Sequence, residues 1–215
     1  MTSVSSPKTT IIVGSPTTTP TLDINQSKSG LRSLDNFSIS VTATAGALTI
    51  AVKADDGSDA SVTNEVPIAF RHVNANNGTL THRTVQAALS LVLSSGSTLG
   101  FTGSGPAKVW VVIFDDGGVN RVGAISCYSA GRIYPIRDMM LATTVSEGGG
   151  GGADSAGVFY TDTGVSNKAL RIVGYMEWSN LLAGTWSTPD KIQIYGPGIP
   201  LPGDVVQSAR VADGT

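Results

Sequence analysis

Short runs in which every second residue is apolar recur along this chain, and turn-forming residues end each run within about ten positions. Phe37, Ile39 and Val41 alternate with Ser38, Ser40 and Thr42. Leu48, Ile50 and Val52 alternate with Thr49, Ala51 and Lys53, and Leu89, Leu91 and Leu93 repeat the pattern. Successive side chains of a strand point to opposite faces, so each such run has one apolar face and is a half-buried strand. Ala45-Gly46 suits a tight turn between the first two. Val66–Val73 and Thr79–Val85 flank Asn74–Gly78 as a second hairpin, and Asp115-Asp116-Gly117-Gly118 turns Val109–Phe114 into Arg121–Ser126 as a third. Val109–Phe114 is apolar throughout, which predicts a strand covered on both faces. Leu170–Trp178, rich in β-branched and aromatic residues, and the alternating Lys191–Tyr195 add two more strands.

The sum is about eight or nine strands at short spacing, with no long helix. The fold class predicted is all-β: an antiparallel β-sandwich, jelly-roll-like, with an extended N-terminal arm. The arm is residues 1–35, dominated by Thr, Ser and Pro, with one apolar triplet, Ile11-Ile12-Val13. A segment so poor in apolar residues cannot fold alone. It is either a disordered tail or an assembly arm that lays the triplet on a neighbouring sheet as an added strand. The body is residues 36–215. Its exit, Gly196–Gly203, holds three prolines and three glycines and cannot continue a central strand. Tyr128–Leu141 is the one stretch that suits a short helix or an irregular crossing, limited by Pro135.

Charged residues make up 14% and the formal net charge is −2, so there is no electrostatic footprint for nucleic acid or an anionic membrane. No apolar run approaches the roughly 20 residues of a membrane-spanning helix. The N-terminal residues lack the basic and apolar regions of a signal peptide, which predicts synthesis in a cytoplasm. The single cysteine, Cys127, forms no intrachain disulfide and reads as a small half-buried hydrophobe.

The search for chemistry returns no catalytic signature. Gly103-Ser104-Gly105 lacks the spacing of a nucleophile elbow. Gly148–Gly152 is followed by neither Lys-Ser/Thr nor a helix, so it is a flexible or a tightly packed loop, one that a symmetry mate could press against, rather than a phosphate cradle. Asp55–Asp59 lacks the downstream glutamate of a calcium loop and reads as a solvated turn. A hairpin loop at Asn76-Asn77-Gly78 would set His72 opposite His82, on the face of Ile68, Phe70 and Leu80. Two imidazoles are too few for a metal site, so neither a metal nor another cofactor is expected. Glu177, beside Tyr175 in alternation, is the one acid placed inside a strand and reads as an outward carboxylate. The chain is not expected to be an enzyme.

Several segments resemble virion proteins of tailed bacteriophages. They are 34–53, 66–71, 93–100, 147–161 with its five glycines, and 174–207 with Gly-Tyr-Met-Glu-Trp, Gly-Thr-Trp and Gly-Pro-Gly-Ile-Pro-Leu-Pro-Gly-Asp-Val-Val-Gln. The resemblance covers about 36–207 and carries no catalytic residue with it. It implies a structural component on the particle exterior, of capsid-decoration or fibre type, with other virion proteins as partners. The chain would be made in the host bacterial cytoplasm and localised in the virion, as a homotrimer. A second class of function is a carbohydrate-binding module that recognises a host surface glycan. Tyr175, Trp178, Trp186 and Tyr195, with Tyr160, crowd the last third and would stack on sugars, or else supply core.

Overall fold

The computed structural model of the chain describes residues 4–6, 9–13, 22–23, 34–71, 80–129, 132–133, 136–137 and 140–195. Every regular element among them is a β-strand. In chain order these are β1 Val4–Ser6, β2 Thr9–Val13, β3 Leu22–Asp23, β4 Ser38–Thr44, β5 Ala47–Lys53, β6 Val66–Arg71, β7 Leu80–Val85 and β8 Leu89–Leu93. They continue as β9 Ser104–Asp116, β10 Val119–Ser129, β11 Arg132–Ile133, β12 Leu141–Ala142, β13 Thr144–Ser146, β14 Phe159–Thr161, β15 Lys168–Leu182 and β16 Lys191–Ile194.

Two hairpins close as their turn residues predict. Thr44 pairs with Ala47 around Ala45 (φ 50°) and Gly46 (φ 80°). Asp116 pairs with Val119 around Gly117 (φ 64°) and Gly118 (φ 102°). Positive φ at both central residues matches the turn to the right-handed twist of the strands.

β9 is the axis of the largest sheet, whose order is β12-β15-β9-β10-β14-β13. β10 pairs antiparallel along one edge of β9 and β15 along the other, from Ala169↔Asp115 to Leu182↔Ser104. β4, β5 and β8 form a separate three-stranded sheet. Its Leu48, Ile50, Leu91 and Leu93 meet Val109, Val111, Ile113, Val173 and Met176 of the large sheet in the main core. A second cluster of Val112, Phe114, Ile125, Phe159, Leu170 and Ile172 lies on the other face of the large sheet. The central strands are therefore apolar on both faces, which explains the unbroken run in β9.

Several expectations change. The body starts at Leu34, not Asn36: Leu34 is 1% exposed and bridges to Ile68. β6 and β7 pair from Val66↔Val85 to Arg71↔Leu80, so His82 lies across from Ala69 and Leu80 leaves the face of Ile68 and Phe70. This register buries Val66 and Val85 together. His72 lies outside the described residues. Within Tyr128–Leu141 the described residues contain no helix: β10 runs on to Ser129 and pairs back with β11, residues 136, 137 and 140 belong to no regular element, and 130–131, 134–135 and 138–139 lie outside the described residues. β13 and β14 pair in parallel, which no local turn signal announces. In the N-terminal segment, β2 is the middle strand of a small antiparallel sheet, β1-β2-β3.

Candidate functional site

The aromatic residues of the last third divide between the two faces of β15. Beyond Trp178 the strand bulges, and the chain reverses at Gly184 (φ 76°), where Trp186 N donates to the Gly46 carbonyl at 2.9 Å. Trp178 and Trp186 are each 3% exposed, with ring centroids 5.6 Å apart, and Phe101 meets Trp186 edge-on. The indole N–H of Trp178 donates to the Ser187 carbonyl at 2.9 Å. Tyr160 is also buried, and its hydroxyl accepts from Ser155 N. A ring enclosed on both sides offers no face to a sugar, so these three residues are core and leave the predicted glycan set.

Tyr175 and Tyr195 lie on the opposite face, where sequence reasoning missed their neighbours. The register Glu177↔Lys108 and Glu177↔Lys191 makes one cross-strand row, and Tyr175↔Trp110 and Tyr175↔Gln193 make the next. Side chains directly opposite one another share a face. Trp110 meets Tyr175 edge-on at 5.5 Å between centroids, and Tyr195 lies 6.1 Å from Tyr175 and 6.3 Å from Trp110. Lys108 Nζ sits 3.8 Å from the Tyr175 centroid, within cation–π range. Glu177 accepts Lys108 at 2.7 Å and lies 3.8 Å from Lys191. Its carboxylate is thus an outward, ion-paired group on a strand, as its alternation with Tyr175 suggests. The only sequence signal for this patch is Lys108 and Trp110 flanking Val109; that β15 lies beside β9 is not written locally.

Burial raises the Tyr195 phenol to about 12, and the negative charges that Tyr175, Cys127 and Glu177 carry when ionised add to the rise. Burial likewise pushes the Cys127 thiol up to about 12, with Lys108 opposing. A thiol so placed is not a nucleophile at neutral pH, and Cys127 packs as a small buried side chain.

A polar hub forms where several loops meet. Glu147, 6% exposed, accepts hydrogen bonds from Ser94 N at 2.8 Å, Ser94 Oγ at 2.9 Å, Ser97 Oγ at 2.6 Å and Gly149 N at 2.9 Å. Burial alone would raise its pKa; the hydrogen bonds from Ser97, Ser94 and Gly149 outweigh that and lower it. The glycine run packs against its own chain: a Cβ on Gly150 would strike the Ser95 carbonyl, and one on Gly96 would come within 3.3 Å of Gly150 Cα. Close backbone approach within the subunit accounts for these glycines. Gly96 N closes the hub by donating to the Gly184 carbonyl at 2.8 Å.

The remaining predicted positions fall outside these clusters. Ile11 pairs with Val4, Ile12 with Asp23 and Val13 with Leu22, so the triplet is paired within the N-terminal segment. Asp56 accepts from Ser58 N and Oγ at 2.9 and 2.7 Å and from Asn64 at 3.0 Å, a self-satisfied turn. Gly196–Gly203 lies outside the described residues. No family model, curated protein or solved structure matches the chain.

Proposed function

We propose that the chain is a structural component of a tailed-phage virion, exposed on the particle exterior as a capsid decoration or fibre-type protein. In this proposal it is made in the host bacterial cytoplasm, associates as a homotrimer on a β-sandwich, jelly-roll-like body, and is attached to other virion proteins with the help of its N-terminal arm. The observation that carries the association is strand β4. It pairs with β5 along one side, and no described residue pairs with its other side. Its sequence, SISVTAT, has no charge and no proline. Monomeric proteins blunt such an edge with lysine, proline or a bulge, whereas an unblunted edge of seven residues is a template for another strand. The facing of β4, β5 and β8 against the large sheet across one core supports the sandwich, and the sequence resemblance supports the particle.

The test is light scattering on the purified chain, with Ser40→Lys and Thr42→Lys introduced together; both side chains are exposed on β4. The expected result is a trimer that the double substitution disperses, with the far-ultraviolet circular dichroism unchanged. A wild-type chain that is monomeric at micromolar concentration, and that does not bind particles lacking it, overturns the proposal.

A further inference from the structure

On the face of the large sheet that carries Lys108, Trp110, Tyr175, Lys191 and Tyr195, Trp110 and Tyr195 pack against the second core cluster and charged side chains stand beside them. Three rings lie within 5.5 to 6.3 Å of one another between centroids, at the end of the sheet where β16 pairs with β15. Trp110 and Tyr195 are only half-buried, unlike the enclosed Trp178 and Trp186. The rings are bordered by two lysines that share one carboxylate. Glu177 holds Lys108 at 2.7 Å, and Lys191, with 54% of its side chain exposed, stands at 3.8 Å. The row thus carries two positive charges and one negative charge, all partly exposed.

We propose that this patch is a binding site for an acidic saccharide, a pyranose chain bearing carboxylates. The half-buried rings of Trp110 and Tyr195 supply an apolar surface for the C–H face of a sugar, as aromatic rings with one wet side do at recognition surfaces. Lys191 supplies the charge-assisted hydrogen bond to a sugar carboxylate, which balances the surplus positive charge of the row. Lys108 is committed to Tyr175 and Glu177, and its role is to fix Tyr175 edge-on to Trp110, leaving the more nearly parallel Trp110 and Tyr195 rings, 33° apart, as the sugar-facing pair. Rings and cation together distinguish this ligand class from a neutral sugar, which uses only the rings, and from an acidic peptide, which uses only the cation. The site is a property of the single folded chain, so its test is independent of any place in a particle.

The experiment is calorimetric titration of the full chain with an oligogalacturonate, with maltohexaose and polyglutamate as the comparison ligands. The expected order is oligogalacturonate tightest, maltohexaose at least about tenfold weaker, and polyglutamate weaker still. Lys191→Gln, at an exposed position, should weaken oligogalacturonate by about tenfold while leaving maltohexaose unchanged. Tyr195→Ala should weaken both sugars, with a melting curve to show that the body remains folded. No binding of oligogalacturonate at millimolar concentration overturns the proposal. So does equal binding of polyglutamate, or indifference to both substitutions in folded protein.

Discussion

The Ser97 hydroxyl lies 2.6 Å from Glu147 Oε1, and both side chains are buried. This contact is one of four that bring donors to a single carboxylate without a cation among them. Glu147→Gln keeps the volume but turns an NH2 group toward donors. The expected loss is about 2–3 kcal/mol of unfolding free energy, read by urea denaturation. The pH dependence has a definite sign. The folded pKa lies below the ordinary value of 4.5, so between the two the unfolded chain binds more protons than the folded one. The Glu147 contribution is therefore fully present above 4.5 and is lost as pH falls through the folded pKa. The gap between wild type and Glu147→Gln should narrow on acidification; a gap that widens contradicts the assignment.

Trp186→Ala removes a ring that packs on Trp178 and Phe101, while the backbone bond from Trp186 N to the Gly46 carbonyl of the β4–β5 turn is kept. We expect about 3–5 kcal/mol of destabilisation. Sugar binding by whatever fraction remains folded should not change, because this ring lies on the core side of β15. A folded variant that loses saccharide binding selectively would return Trp186 to the glycan set.

Ala45 sits at φ 50° in an exposed two-residue turn. A Cβ in the left-handed region is strained, and Asn is the residue that two-residue turns of this type prefer before Gly. Ala45→Asn should raise stability by about 0.5–1 kcal/mol, seen as a higher Tm. An unchanged or lower Tm would show that the turn is held by contacts such as Trp186 N to Gly46 O rather than by its own backbone.

Deletion of residues 1–30 spares Leu34, the first of the described residues to be buried in the body core. The truncated chain should melt at the same temperature as the full one and, under the virion role proposed above, fail to join the particle. Unfolding on truncation would place β1–β3 within the stability of the body, and full incorporation would place attachment elsewhere.

What the sequence made legible was local. Ala45-Gly46 and Gly117-Gly118 announce their hairpins because left-handed φ at two successive positions leaves few residue choices. The alternation in β5 and β8 announces its inward leucines because the period of a strand is fixed. The apolar run of β9 announces a strand covered on both sides. What stayed hidden was non-local. Lys108 and Trp110 meet Glu177 and Tyr175 across 69 and 65 residues of chain, by subtraction of their numbers in the register. Nothing in either segment encodes the other. The Trp178 and Trp186 rings were ambiguous for a similar reason: an aromatic on a strand looks the same from either side until its facing sheet is known. Glu147 was unreadable because its partners, Ser94 and Ser97, lie in a loop whose composition signals only a turn. The β6–β7 register differs from the expected one because Arg71 pairs with Leu80, where a loop at Asn76-Asn77-Gly78 would set it opposite Arg83, and an odd shift turns every side chain of one strand to the other face.

The pairing order of the large sheet also sets when, during synthesis, each edge of β9 can be covered. β10 follows β9 by two residues and can cover one edge of it at once. The other edge waits for β15, which begins at Lys168. Until then Val109, Val111, Val112 and Ile113 belong to a strand with one open side, and non-local pairings of this kind form slowly. A chain terminated at residue 165 should therefore be found in the insoluble fraction, whereas one terminated at residue 195 should be soluble. The time taken to synthesise the segment that separates the two longest strands is thus an interval in which one edge of β9 is open to pairing with another chain.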